Sequence, residues 1–421
     1  MAVRVAPATA SEVSATEWTE GLRYVARQPI LDLRGRVHAY ELLFRAGPEA
    51  TFRGDGDLAT RTMLDNTVMF GLEKLTGGML AFVNCTREAL AEDLVDILPT
   101  GMTVLEILET VEPTTDLILA CRKLKASGYR LALDDFVWEP KLDPLVDLAD
   151  YMKVDFGTTG PEDRRKLFAR LRGMPIAMLA EKVETQEEYQ QARKEGFKLF
   201  QGYYFCRPVL MRNLKIPANR QFHFEILQLL QQEDIDVHQA GRLMKRDASL
   251  TYRLLRLVNS PLYAVRREIR SIEEALLDVG EKAFRRIVML AIASDLNGKQ
   301  PLELLRMAFL RGRFCELASE RYGLDPSEQY LLGMLSLLPA MMLMPMEDLA
   351  PALPLRNEIQ DALKGATNRE RVLLSWLESY EHGDWAVCDA LVRTDGLDEK
   401  ELLGCYRSAL VWAEAALELT A

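Results

Sequence analysis

The stretch YVARQPILDLRGRVHAYELLF, residues 24–44, decides how the first half of the chain is read. Two apolar runs, Tyr24–Leu31 and Arg36–Phe44, are separated only by Asp32–Gly35. A loop of that length joins a hairpin, so the two strands it predicts are antiparallel. Further short runs occur at Met79–Val83, Thr103–Leu105, Tyr129–Leu133, Tyr151–Val154, Ile176–Ala180 and Lys198–Phe200. Each is too short for a helix, and most are spaced widely enough to hold one between them. Eight strands with intervening helices predict an α/β barrel of the TIM type, with one antiparallel strand.

The residues at the strand ends carry the chemistry. Glu41 closes the second strand, Asn84 the third, Glu106 the fourth, and Asp134 and Asp135 the fifth. The sixth carries Lys153 and Asp155, the seventh Glu181 and the eighth Gln201. In such a barrel the strand C-termini converge on one mouth. Carboxylates crowded there repel one another unless a cation sits among them. Oxygen donors without Cys or His favour a hard ion, Mg²⁺ or Mn²⁺. Taken singly, each residue has an ordinary reading: a helix N-cap or a solvated loop carboxylate. Asn84 could cap the helix that begins near Arg87, Lys153 could lie on the surface, and Gln201 could sit in a turn. Their collective placement at strand ends is the signal.

At these residues a family resemblance is plain. Gln28-Pro29-Ile30, Glu41-Leu42-Leu43, Asn84, Glu106-Ile107-Leu108-Glu109, Asp134-Asp135-Phe136, Lys153-Val154-Asp155, Glu181-Lys182-Val183-Glu184-Thr185 and Gln201-Gly202-Tyr203 occur in order. Residues 20–209 thus resemble an EAL domain, the cyclic di-GMP phosphodiesterase family. The resemblance implies a barrel with an antiparallel strand, in agreement with the hairpin. It implies that Glu41, Asn84, Glu106 and Asp134 are metal ligands and that Asp135 binds or bridges a second ion. Two ions about 3.5–4 Å apart activate a water and stabilise the leaving oxygen of a phosphodiester. The same resemblance makes Glu181 the general base, Lys153 a residue positioning the water and Arg45 a phosphate contact. Gln28, Asp155, Glu184 and Gln201 become ligand-facing or supporting positions, and Glu109 supports the loop.

Three departures stand out. Leu42 replaces the Ala of the signature, a change of packing. Val137-Trp138-Glu139-Pro140 stands where the family has a Gly-Thr-Gly loop; glycines there permit backbone geometry that Val, Trp and Pro do not. Lys182 occupies a family Gly position beside the expected base. Its ammonium is expected to lower the Glu181 pKa and to compete with a cation for the carboxylates. Together these favour a binding or vestigial role over efficient hydrolysis.

Composition bounds the rest. The 421 residues predict two or three domains, and 48% hydrophobic with 27% charged residues exclude a disordered or fibrous chain. A net charge of -11 argues against binding a nucleic-acid polymer, although metal and Arg45 would reverse the field locally for a dinucleotide. Met1–Glu20 lacks the layout of a signal peptide and is expected to be frayed. Tyr330–Met346 is shorter than the roughly 20 residues needed to cross a bilayer and reads as a buried helix. Cys85, Cys121, Cys206, Cys315, Cys388 and Cys405 are scattered, which favours free thiols in a reducing cytoplasm.

Beyond Pro208 the strand signals stop. Phe222, Ile226, Leu229 and Leu230 form a helical stripe, as do Leu250, Leu254, Leu257 and Val258, the latter interrupted at Asn259-Ser260-Pro261. Ser271 with Glu274 reads as a capping box opening a helix that ends near Gly280. Asp247-Ala248-Ser249-Leu250, Leu254-Leu255-Arg256-Leu257-Val258-Asn259-Ser260 and Ser271-Ile272-Glu273-Glu274-Ala275 are similar to the HDOD domain, a helical relative of HD phosphohydrolases. Such hydrolases need an adjacent His-Asp pair. None of His38, His223, His238 and His382 is followed by Asp, and Ser336-Leu337 stands in the place of that pair, which excludes a metal-dependent hydrolase in this half. His223 and His238 are expected to be surface or capping residues, Met341-Met342-Leu343-Met344 core filling, and the arginines of residues 250–290 a solvated face.

The expected organisation is a disordered segment at 1–19, an EAL-like barrel at 20–209 and an all-α HDOD-like domain at 210–421. The function implied is that of a cytoplasmic, membrane-free regulator in cyclic di-GMP signalling. It would bind the nucleotide, a protein partner through the HDOD half, or both. An active metal-dependent phosphodiesterase and a pure scaffold with a vestigial site stay open as alternatives, and a homodimer is the default assembly.

Overall fold

In a strand, successive side chains face opposite sides of the sheet, so residues two apart share a face. The computed structural model obeys that rule around a complete ring. It describes residues 24–45, 72–92, 94–206, 218–230, 232, 235–263, 265, 267–298 and 300–420. Eight strands close in chain order: β1 (Tyr24–Asp32), β2 (Val37–Arg45), β3 (Leu80–Cys85), β4 (Thr103–Ile107), β5 (Arg130–Leu133), β6 (Tyr151–Asp155), β7 (Ala177–Glu181) and β8 (Leu199–Gln201). β1 is antiparallel to both β2 and β8, and the remaining neighbours are parallel. The hairpin turns at Gly35, whose φ of +73° suits glycine, while Asp32 Oδ1 accepts from the backbone N–H groups of Arg34 and Arg36.

Ile30, Ala39, Phe82, Val104, Ala132, Tyr151, Leu179 and Leu199 point inward and form a core of their own inside the barrel. Two residues beyond each of these on β2–β8 come Glu41, Asn84, Glu106, Asp134, Lys153, Glu181 and Gln201. On the reversed β1, Gln28 comes two residues before Ile30. One apolar layer therefore plugs the barrel, and the polar set forms the layer above it, at the C-terminal mouth. Outward residues such as Val83, Leu105, Leu131 and Val154 belong to the larger core shared with the surrounding helices.

From Ala218 onward the described elements are helical. Helix Ala248–Val258 stops at Asn259, and helix Ile272–Val279 starts at Ser271, whose side chain accepts from Glu274 N. Only half of the expected capping box forms, because the Glu274 carboxylate takes the N–H of Arg270 instead. Two expectations are corrected. Tyr330–Met346 is not one helix: Pro326–Leu335 ends at Ser336, and Leu338–Met342 restarts with Pro339, which has no N–H to continue the earlier ladder. His223 is neither a surface nor a capping residue. It lies on the same face as Ile226, Leu227 and Leu230, is buried, and has Nε2 3.1 Å from Asp295 Oδ2. His238 is exposed as expected, and Met341, Met342 and Met344 are core. Arg253, Arg267, Arg270, Arg285 and Arg286 pair with Asp295, Asp278, Glu268, Glu281 and Glu316, so that face is neutralised locally.

The helical half seats on β1 and β2. Arg27, buried, donates to Glu414 at 2.7 Å and lies over the Tyr40 ring, and the Tyr40 hydroxyl donates to Glu303 at 3.0 Å. The backbone N–H of Val25 donates to the Tyr380 hydroxyl at 3.2 Å. No disulfide joins the six cysteines, all of which lie among the described residues. Among the described residues no helix is long and apolar enough to cross a membrane. The segment 1–19, the boundary at 209/210 and Arg266 lie outside the described residues.

Candidate functional site

The mouth is organised around one buried ammonium. Lys153 is 1% exposed, so it is no surface residue; its Nζ lies 2.7 Å from Asp134 Oδ1, 2.8 Å from Glu106 Oε1, 2.8 Å from Glu181 Oε1 and 3.4 Å from Glu41 Oε2. Burial alone would drive a lysine neutral, but the surrounding carboxylates outweigh it and hold Lys153 well above the usual lysine range. Parallel register sets Asn84 opposite Glu106 and Asp155 opposite Glu181, while antiparallel register sets Gln28 opposite Glu41 and Ile30 opposite Gln201.

Glu41 is held by amides on both oxygens. Asn84 Nδ2 donates to Oε1 at 3.1 Å, and Gln201 Nε2 donates to Oε2 at 2.6 Å and to Gln28 Oε1 at 3.0 Å. Burial opposes ionisation of Glu41, yet Lys153 and these amides keep its pKa below the usual carboxylate value. Glu106 is fully buried and pushed well above that value by burial and by the Glu41 charge. Glu181 is raised to about 8, by burial first, against the pull of Lys153 and with the push of Asp134 and Glu41. The expected lowering of Glu181 by Lys182 is therefore corrected. The Lys182 ammonium turns away, 2.7 Å from Asp155 Oδ2 and 3.3 Å from Asp135 Oδ2.

Asn84 does not cap the next helix, since Thr86 does so by accepting from Ala89 N. Glu184 is exposed at the rim, its N–H donating to Glu188 Oε2. Glu109 is exposed and, among the described residues, has no ion pair, so support of the loop is not visible in its contacts. The Arg45 backbone ends β2, and its side chain lies outside the described residues. The replaced loop is braced from outside: Trp138 packs edge-on to Phe136 and lies under the Arg170 guanidinium, 3.4 Å from the ring centroid.

Among the described residues no three acidic, His or Cys side chains form a ready-made metal cluster, and Lys153 occupies the centre of the acidic set. The donor set nevertheless fits a hard cation. Glu106 Oε2, Glu181 Oε2 and Asn84 Oδ1 are buried without a hydrogen-bond partner, and oxygen donors left this way are what such an ion takes up. Residues of the helical half also reach the rim. The Tyr203 hydroxyl donates to Glu381 O at 2.6 Å, Tyr203 stacks on His382, and Gln28 Nε2 donates to His382 O at 3.3 Å. No local pattern marks Glu381 and His382, which meet the mouth only through the tertiary fold.

A closed α/β barrel with an acidic mouth, joined to a wholly helical half packed on its first strands, is the class that fold and site define. The HDOD domain profile matches residues 216–373. "Uncharacterized protein YuxH" of Bacillus subtilis is 33% identical over 406 residues, 94% of this chain and 99% of YuxH. "Cyclic di-GMP phosphodiesterase CdgJ" of Vibrio cholerae is 34% identical over 370 residues, 86% of this chain and 85% of CdgJ. Among solved structures, the EAL domain of Mycobacterium smegmatis DcpA is 22% identical, covering 43% of this chain and 91% of that one, with a TM-score of 0.35. The chain belongs to the EAL–HDOD family of two-domain bacterial signalling proteins.

Proposed function

We propose that the chain is a cyclic di-GMP signalling regulator that binds the dinucleotide at the barrel mouth, with the HDOD half as output or scaffold toward a protein partner. One observation carries this reading: Glu41, Glu106, Asp134 and Glu181 converge on the buried Lys153 ammonium, Asn84 joins them through Glu41, and oxygens of Glu106, Glu181 and Asn84 are left unpartnered. A divalent cation held by Glu41, Asn84, Glu106 and Asp134 would supply positive charge against the phosphodiester oxygens. Gln28 and Glu184 stand at the rim for the ligand, and Gln201 holds Glu41 in place. Titration calorimetry of the full chain with cyclic di-GMP and Mg²⁺ is expected to give saturable heats. Flat heats with folded protein defeat the reading.

Hydrolysis is the second reading, favoured by the name of CdgJ. Glu181 and Lys153 face the same point, as base and water-positioning group require. The Val137–Pro140 loop and Lys182 weigh against efficient turnover. Mn²⁺-dependent opening of cyclic di-GMP, lost in Glu41→Ala and Glu181→Ala, would establish it; no product on prolonged incubation rejects it.

A further inference from the structure

The mouth holds two acidic groups, each with its own ammonium, and they differ in how far their oxygens are satisfied. The inner group sets four carboxylates, Glu41, Glu106, Asp134 and Glu181, around Lys153 alone. The outer group sets two, Asp135 and Asp155, around Lys182. The inner group also keeps buried oxygens of Glu106, Glu181 and Asn84 without hydrogen bonds. The outer one has no such deficit at Asp155. Its Oδ1 accepts from the N–H groups of Gly157 at 2.9 Å and Thr158 at 3.0 Å, and its Oδ2 accepts from Lys182 at 2.7 Å.

The Lys182 backbone lies at φ +53°, a region that side-chain-bearing residues seldom enter. Its ammonium reaches Asp155 and Asp135, and no contact with Glu181 is formed. Resting on the proposed function, we propose that Lys182 is a built-in counter-cation for Asp135 and Asp155, so that the mouth takes one divalent ion, in the inner group, and not two. Asp135 is thereby removed from the metal ligands expected from the sequence. Unmet hydrogen bonding decides the outcome: the inner group offers buried oxygens of Glu106, Glu181 and Asn84 that a dication would satisfy, whereas both Asp155 oxygens already accept hydrogen bonds and Asp135 faces the Lys182 ammonium.

The test is the stoichiometry of Mn²⁺ bound to the full chain without nucleotide, from the electron paramagnetic resonance of free Mn²⁺ during titration. The wild-type chain is expected to take one ion and Lys182→Gly two. Glycine adopts the local φ freely, so that variant keeps its backbone. Lys182→Met, which keeps the stem and removes only the charge, is expected to gain the same second, weaker ion. Two ions in the wild type, or one ion in both variants, overturn the role of Lys182. Absence of any bound ion in the wild type removes the cation from the inner group and overturns the inference together with the metal arm of the proposed function. One ion without cyclic di-GMP binding leaves Lys182 its role and defeats the function instead.

Discussion

The hydroxyl of Tyr203, at the mouth of the barrel, donates to the backbone carbonyl of Glu381, 178 residues later, at 2.6 Å. The Glu381 carboxylate is in turn held by Arg311, with Nη2 to Oε2 at 2.6 Å and Nε to Oε2 at 3.1 Å, both side chains buried. Arg311 Nη1 also reaches Ser336 Oγ at 3.2 Å. A chain of polar contacts thus runs from Ser336 to the edge of the acidic mouth.

Removing one partner of a buried pair leaves an uncompensated charge, at a cost of about 3–5 kcal/mol. Arg311→Met is therefore expected to lower stability by about that amount in urea unfolding. Tyr203→Phe, which removes one neutral hydrogen bond, is expected to cost about 0.5–1.5 kcal/mol. Equal effects of the two variants would contradict the assignment of Arg311 as the buried anchor.

Gly202 tests how the turn after β8 positions Glu181 and Val183. Its φ is +137°, and a Cβ there would overlap the backbone oxygen of Val183. The contact is with backbone, so no rotamer change relieves it. Gly202→Ala is expected to lose about 2 kcal/mol or more of stability and to weaken ligand binding, since Val183 N also donates to Gln201 O. Wild-type stability in a thermal melt would show that the turn yields.

Lys153→Met removes the ammonium from four carboxylates, so mutual repulsion is no longer offset. The variant is expected to lose about 3–5 kcal/mol without metal. It should regain more of its melting temperature on adding Mn²⁺ than the wild type gains, because a bound ion replaces the missing charge. Identical Mn²⁺ responses of variant and wild type would separate Lys153 from the cation site.

The barrel was legible because eight short apolar runs are spaced for intervening helices, and because a four-residue loop forces β1 to reverse. The convergence of Glu41, Glu106, Asp134 and Glu181 followed from their placement toward strand ends that meet at one mouth. The direction of the Lys182 side chain was not legible. Its partners, Asp135 and Asp155, come from the ends of other strands, so proximity along the chain to Glu181 gave the wrong partner. His223 was misread because its face repeats at helical spacing while its partner, Asp295, lies on another helix. Tyr330–Met346 was misread because apolar continuity hides the restart at Pro339. The rim contacts of Glu381 and His382 join distant segments, and nothing local encodes them.

The central claim is that the mouth gathers its acidic and amide side chains for a cation. Crystals of the full chain soaked in Mn²⁺ and measured for anomalous scattering test it most directly. The account predicts a peak among Glu41, Asn84, Glu106 and Asp134, with the Lys153 ammonium displaced from the centre. A map with no peak there, and with Lys153 still bridging the four carboxylates, would contradict it.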